Sequence, residues 1–145
     1  HYGYKQIDDG SYNKNLNVSF ITGCLMLIPR EIIEHVGLLD EEYFLYSEDT
    51  DYCCRVKNAG YDLIYCAKSI IYHKVSAATG DNSPMQQYYM LRNDLYLISK
   101  YGTKKALAYL KRINNTRIQL TRGTVNLKSV AKAYYDFICN HKGKQ

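Results

Sequence analysis

The sequence predicts an α/β fold: a partial mixed sheet with flanking helices, followed by a helical C-terminal appendix. Three observations carry this expectation. Short apolar, β-branched stretches alternate with segments bounded by helix start and stop residues up to about residue 101. Beyond that point apolar residues recur at helical spacing, first Ala106, Leu107, Leu110 and Ile113, then Val130, Tyr134, Phe137 and Ile138. The length of 145 residues suits one ordinary domain, able to remove about 70% of its unfolded surface from water.

Taken in order, residues 1–17 are polar and rich in Tyr and Asn, and read as loop. Val18 to Ile28 is apolar and reads as a buried strand interrupted by Gly23. Pro29 sits where a helix begins and Gly37 where it stops, which predicts a short helix over 29–36. Ser47 is placed as an N-cap, and Glu48, Asp49 and Asp51 load the first turns of a helix that should end at Gly60. Tyr61–Cys66 and Ser69–Tyr72 read as two short strands. Ser83-Pro84 opens a long helix that stops at Gly102. In the tail, two amphipathic helices are expected, joined by a polar loop around 114–126. The boundary between the main unit, 1–102, and the basic helical extension, 103–145, falls at that glycine.

Charge is divided along the chain. Residues 1–99 hold 8 Lys and Arg against 13 Asp and Glu, whereas residues 100–145 hold 11 against the single acid Asp136. A tail this basic suits an anionic partner such as a membrane surface, or a solvated helical face. A nucleic-acid module is disfavoured, because the acidic first 99 residues would repel phosphates. The apolar run Cys24–Ile28 is far short of a bilayer span. Five cysteines without regular spacing predict reduced thiols and a cytoplasmic setting. Cys53, Cys54, Cys66 and His73 lack zinc-ligand spacing, and Glu31-Ile-Ile-Glu34-His35 lacks the first histidine of a zinc-protease helix.

The segment from Glu41 to His73 carries the chemistry. Glu48 and Asp49 are adjacent carboxylates following an aromatic run and opening a helix. A helix N-terminus keeps a carboxylate ionised, as a general base on a hydroxyl requires, and equally explains two acids that only stabilise the helix. Asp51 and Arg55 are four apart and read as an intrahelical pair. His73, after an apolar stretch, suits a metal, a phosphate or a structural hydrogen bond.

Five blocks then stand in order: Ile21-Thr22-Gly23-Cys24-Leu25-Met26-Leu27-Ile28-Pro29-Arg30, Val36-Gly37-Leu38-Leu39-Asp40-Glu41-Glu42-Tyr43-Phe44, Ser47-Glu48-Asp49-Thr50-Asp51-Tyr52-Cys53-Cys54-Arg55, Ala59-Gly60-Tyr61 and Tyr72-His73. Together they resemble the acceptor-side, C-terminal half of family-two inverting glycosyltransferases of the GT-A fold, in the rhamnosyltransferase-like branch that builds bacterial surface polysaccharides. Tyr88-Tyr89-Met90-Leu91-Arg92-Asn93 is similar to the helix those enzymes carry after the histidine, and Ala133-Tyr134-Tyr135-Asp136 to their C-terminal extension.

The resemblance implies roles. Asp49 would be the general base, with Glu48 positioning it or the acceptor. Gly23, Asp40 and Tyr43 would shape the acceptor pocket. His73 would reach the metal or the diphosphate, and Arg92 would supply charge to the leaving diphosphate. The expected ligands are a nucleotide-sugar donor, a glycan or lipid-linked acceptor, and Mg²⁺ or Mn²⁺ in the full-length enzyme. The resembling family holds that metal with an Asp-x-Asp in a nucleotide-binding half that residues before Val18 are too few to form. These residues are therefore expected to be inactive alone and, in the whole enzyme, to work in the cytoplasm at the inner face of the membrane. The alternative is a non-catalytic module whose basic tail contacts a membrane or nucleic acid.

Overall fold

The computed structural model describes residues 6–73 and 80–145. Among them are two strands and five α-helices, so the chain is mixed α/β with a much smaller sheet than the sequence predicts. Strand β1, Leu16–Val18, pairs antiparallel with β2, Leu63–Tyr65, in the register Leu16↔Tyr65 and Val18↔Leu63. Between them lie α1, Arg30–Val36, a single 3₁₀ turn over Glu41–Tyr43, and α2, Glu48–Asn58. Then follow α3, Pro84–Tyr101, α4, Lys105–Thr121, and α5, Leu127–Ile138.

The helix punctuation holds. Pro29 precedes α1, and Gly37 ends it at φ 88°, a conformation that favours glycine. Ser83 caps α3 by accepting the Gln86 N–H at 3.1 Å, with Pro84 in the first turn and Gly102 at the end. Asn126 caps α5 in the same way through the Ser129 N–H at 3.1 Å.

Three expectations are corrected. The apolar stretch after Val18 is not a strand. Phe20, Ile21, Met26 and Ile28 pack on a core of Tyr52, Cys53, Val56 and Leu63 as irregular chain. The Cys53 thiol pins this chain, accepting the Ile21 N–H and donating to the Ile21 carbonyl, both at 3.4 Å. Apolar periodicity reports burial, and here a helix face rather than neighbouring strands supplies it. Ser69–Tyr72 is likewise outside any strand, with Ile70 and Tyr72 exposed.

The polar stretch from residue 114 is not a loop either, because α4 runs on to Thr121. Thr116 is buried on that helix and returns its hydroxyl to the Arg112 carbonyl at 2.9 Å, so its polarity is satisfied within the helix. Helix α5 packs along α3, and their shared core contains Tyr88, Tyr89, Leu91, Leu95, Val130 and Ala133. Leu45 and Tyr46, from the loop before α2, pack against that same core. The loop reading of residues 1–17 is met from residue 6 to β1; residues 1–5 lie outside the described residues.

Candidate functional site

Asp49 sits in the first turn of α2, half-buried. Its Oδ2 accepts the Gly23 N–H at 2.9 Å, and its Oδ1 accepts the Thr50 N–H at 2.7 Å. Gly23 earns its place by proximity, since a Cβ there would stand 3.3 Å from the Asp49 Cβ. Two backbone donors on separate segments fix the orientation of the carboxylate. Such a group has about four lone-pair sites, so it keeps acceptor capacity for a hydroxyl proton.

Glu48, beside it, is in a different environment. Its Oε2 is enclosed and has no hydrogen-bond partner among the described residues. Burial pushes this carboxyl above the usual glutamate range, outweighing the lowering effect of a backbone hydrogen bond, and the neighbouring Asp49 charge adds a smaller push upward. Two adjacent carboxyls thus differ: one is held by donors, while the other is desolvated and biased toward its neutral form.

Asp40 and Tyr43 are brought together with residues not singled out in the sequence. They line a cleft of about 230 Å³ with Glu42, Tyr96, Ser99, Lys100 and Lys142. Behind it Asp51 is wholly buried, and its Oδ1 accepts bonds from Lys100 Nζ at 2.7 Å, Tyr101 OH at 2.7 Å and Tyr43 OH at 3.1 Å. Its Oδ2 accepts Arg55 Nε at 2.7 Å. Burial raises its pKa, but the bonds from Lys100, Tyr101 and Arg55 outweigh that and hold the carboxyl below the ordinary aspartate range. Arg55 also donates to the Val36 and Leu38 carbonyls at 2.8 and 2.7 Å, which ties the end of α1 to α2. The Asp51–Arg55 pair is therefore one part of a buried hub. Burial, then the Asp51 charge, pushes the Tyr43 phenol well up, so Tyr43 acts as a hydrogen-bond donor to the hub.

Arg92 requires a correction. It is fully buried on α3, and its guanidinium faces carbonyls. Nη2 donates to Tyr43 O at 3.0 Å, Nη1 to Gly143 O at 2.8 Å, and Nε to Asn93 Oδ1 at 3.0 Å. A group enclosed in this way does not meet a leaving diphosphate. The neighbouring Asn93, also fully buried, was missed. Its signal is an amide in the middle of a helix with Tyr89, Met90, Tyr96 and Leu97 at helical spacing around it, where its low helix propensity needs a compensating role.

His73 is exposed, and no hydrogen bond or ion pair joins it to Asp49, Asp40 or Tyr43 among the described residues. Nor do three His, Cys, Asp or Glu side chains converge anywhere among those residues. The residues present do not form a cation site, and no step below passes through a metal.

Against this geometry, the family described as "Glycosyltransferase like family 2" matches residues 1–120. The chain belongs to the glycosyltransferase family 2-like group. Within that family, 51% of the chain is similar to the dTDP-rhamnosyl transferase RfbF of Shigella flexneri at 33% identity, covering 28% of that protein. An N-acetylglucosaminyl-diphospho-decaprenol L-rhamnosyltransferase of Mycobacterium tuberculosis is 33% identical over 43% of the chain and 20% of its own length. An uncharacterized protein of Sinorhizobium fredii is 32% identical over 60% of the chain and 10% of its length. The chain thus spans less than a third of each of these relatives. No solved structure matches it. Among the described residues, no helix is long and apolar enough to cross a membrane.

Proposed function

We propose that these residues form the acceptor side of a GT-A-type sugar transferase that inverts configuration, with Asp49 as general base. Asp49 takes the proton of an acceptor hydroxyl while that oxygen forms a bond to the anomeric carbon of a nucleotide-activated sugar. The bond from that carbon to the diphosphate oxygen breaks on the opposite face. The observation that supports this reading is the Asp49 carboxylate held by Gly23 and Thr50 at the start of α2, in a chain of this family. Glu48, half-buried beside the base, would position Asp49 or the acceptor. Asp40 and Tyr43 would shape the acceptor pocket. The divalent metal of the resembling family would be held by residues other than these.

The names of the relatives select the first compounds to test: deoxythymidine-diphosphate rhamnose as donor, and a lipid-diphosphate-linked N-acetylglucosamine as acceptor. In the complete polypeptide that carries this chain, Asp49→Asn should lower kcat by roughly 10²–10⁴-fold, the usual share of a general base. The thermal melt should stay in place. A variant that turns over at the wild-type rate would remove Asp49 from the chemistry.

A second observation bears on where the enzyme works. Helix α4 exposes Leu107, Leu110 and Ile113, with the exposed Lys104, Lys105, Lys111 and Arg117 around them. Apolar and basic side chains on one solvent face suit the interface of an anionic bilayer, where each basic residue contributes about 1 kcal/mol. Flotation with vesicles rich in anionic lipid should carry the protein, and Leu110→Glu should release it. Equal flotation with neutral vesicles would defeat the idea.

A further inference from the structure

We infer that Asn93, braced by Arg92, is the positioning residue for Asp49: from α3 it grips the main chain of the loop that delivers α2. The inference rests on the reading of Asp49 as base.

The loop needs to be held. Phe44, at φ 62° and ψ −58°, turns the chain so tightly that the Leu45 N–H reaches the Tyr43 carbonyl at 2.8 Å. Tyr46 and Ser47 follow at φ 65° and 73°. Three of four successive residues, none of them glycine, are thus left-handed, a conformation that crowds the Cβ. Ser47 precedes α2 without making a side-chain cap bond. The start of α2 is therefore set from outside rather than by its own cap.

Asn93 supplies that support. Its Nδ2 lies 3.0 Å from Tyr43 O, 2.7 Å from Leu45 O and 2.8 Å from Tyr46 O. Three carbonyls can only accept, so the amide nitrogen must face them. Its Oδ1 accepts Arg92 Nε at 3.0 Å, which locks that orientation. Arg92 adds a bond to Tyr43 O at 3.0 Å and a longer one to Glu42 O at 3.5 Å. Every contact is to main chain, and the gripped residues end two positions before Glu48 and three before Asp49. When Asn93 is removed, the turn relaxes and the first helical turn loses its register against Gly23.

The experiment compares Asp49→Asn, Asn93→Ala and the double variant in the complete polypeptide. Asn93→Ala should lower kcat tenfold or more, with donor and acceptor KM within about twofold. The double variant should be no slower than Asp49→Asn alone, because Asn93 acts through Asp49. Hydrogen exchange in peptides covering 42–50 should quicken at least tenfold, while α5 keeps its protection. Should Asn93→Ala fail to fold, Asn93→Ser, which keeps one donor, is read by the same criteria.

If Asp49→Asn retains its rate, the functional reading itself falls. If Asp49→Asn is dead but Asn93→Ala keeps its kcat, only the present inference falls. Multiplicative losses in the double variant, unchanged exchange at 42–50, or equal loosening of α5 would also overturn it.

Discussion

Asp51 and Lys100 meet at 2.7 Å, the acid wholly buried and the lysine side chain 43% exposed, so that the helix carrying the candidate base is fastened to the far end of α3. The same carboxylate holds Arg55, Tyr43 and Tyr101.

Asp51→Asn keeps the shape and removes the charge on which these four donors converge. Breaking a buried pair by removing one partner costs about 3–5 kcal/mol, and the partial exposure of Lys100 and Arg55 places this case at the low end, about 3 kcal/mol. Urea denaturation should show that loss as a lower midpoint at unchanged slope.

Glu48→Gln should stabilise. The folded-state pKa of Glu48 is raised, so ionisation at neutral pH opposes folding. The amide removes that charge, and the melting temperature at pH 7 should rise. The gain should vanish below about pH 4, where the carboxyl is protonated in both folded and unfolded states. An equal gain at pH 3 would contradict the desolvation account.

Asp136 has the opposite sign. Lys132, Tyr88 and His141 bond its carboxylate and, against the effect of burial, hold its pKa down to about 2. A depressed acid contributes stability above its unfolded pKa of about 3.9 and loses it as pH falls through the folded value. The contribution is about 3 kcal/mol. The gap in melting temperature between the wild type and Asp136→Asn should be constant from pH 5 to 7 and close between about pH 4 and 2.

Gly23→Ala tests the close approach of the chain to Asp49, the proposed base. The added Cβ, 3.3 Å from the Asp49 Cβ, forces a shift of a few tenths of an ångström. A displacement of that size should lower kcat by about tenfold with little change in the melt. Gly23→Val should be worse in the same order. If Ala turned over at the wild-type rate, the glycine would have no role in placing the base.

The sequence made legible what depends on neighbours along the chain. Pro29 with Gly37, Ser83 with Gly102, and the acids opening α2 mark helix ends through local backbone chemistry. It misled where the partner lies far away. Ile21 and Met26 are as apolar as strand residues, but they pack on α2, and no local pattern distinguishes the two. Arg92 reads as a free cation because the Tyr43 and Gly143 carbonyls that surround it lie about 50 residues off on either side. Asn93, named only as part of a block, and Lys100 carry no role in the sequence for the same reason. The resemblance implied for Gly23 only a place in the acceptor pocket, and the structure adds a contact that the sequence did not announce: the glycine makes room for Asp49.

Main-chain oxygens are common to all amino acids, so a grip on Tyr43, Leu45 and Tyr46 through their carbonyls is indifferent to which side chains those positions carry. Evolution can therefore rewrite the exposed surface at Glu42 and Phe44 without unseating the helix behind it. A scaffold built in this way separates variation in the exposed side chains of the loop from the placement of the helix that carries Asp49.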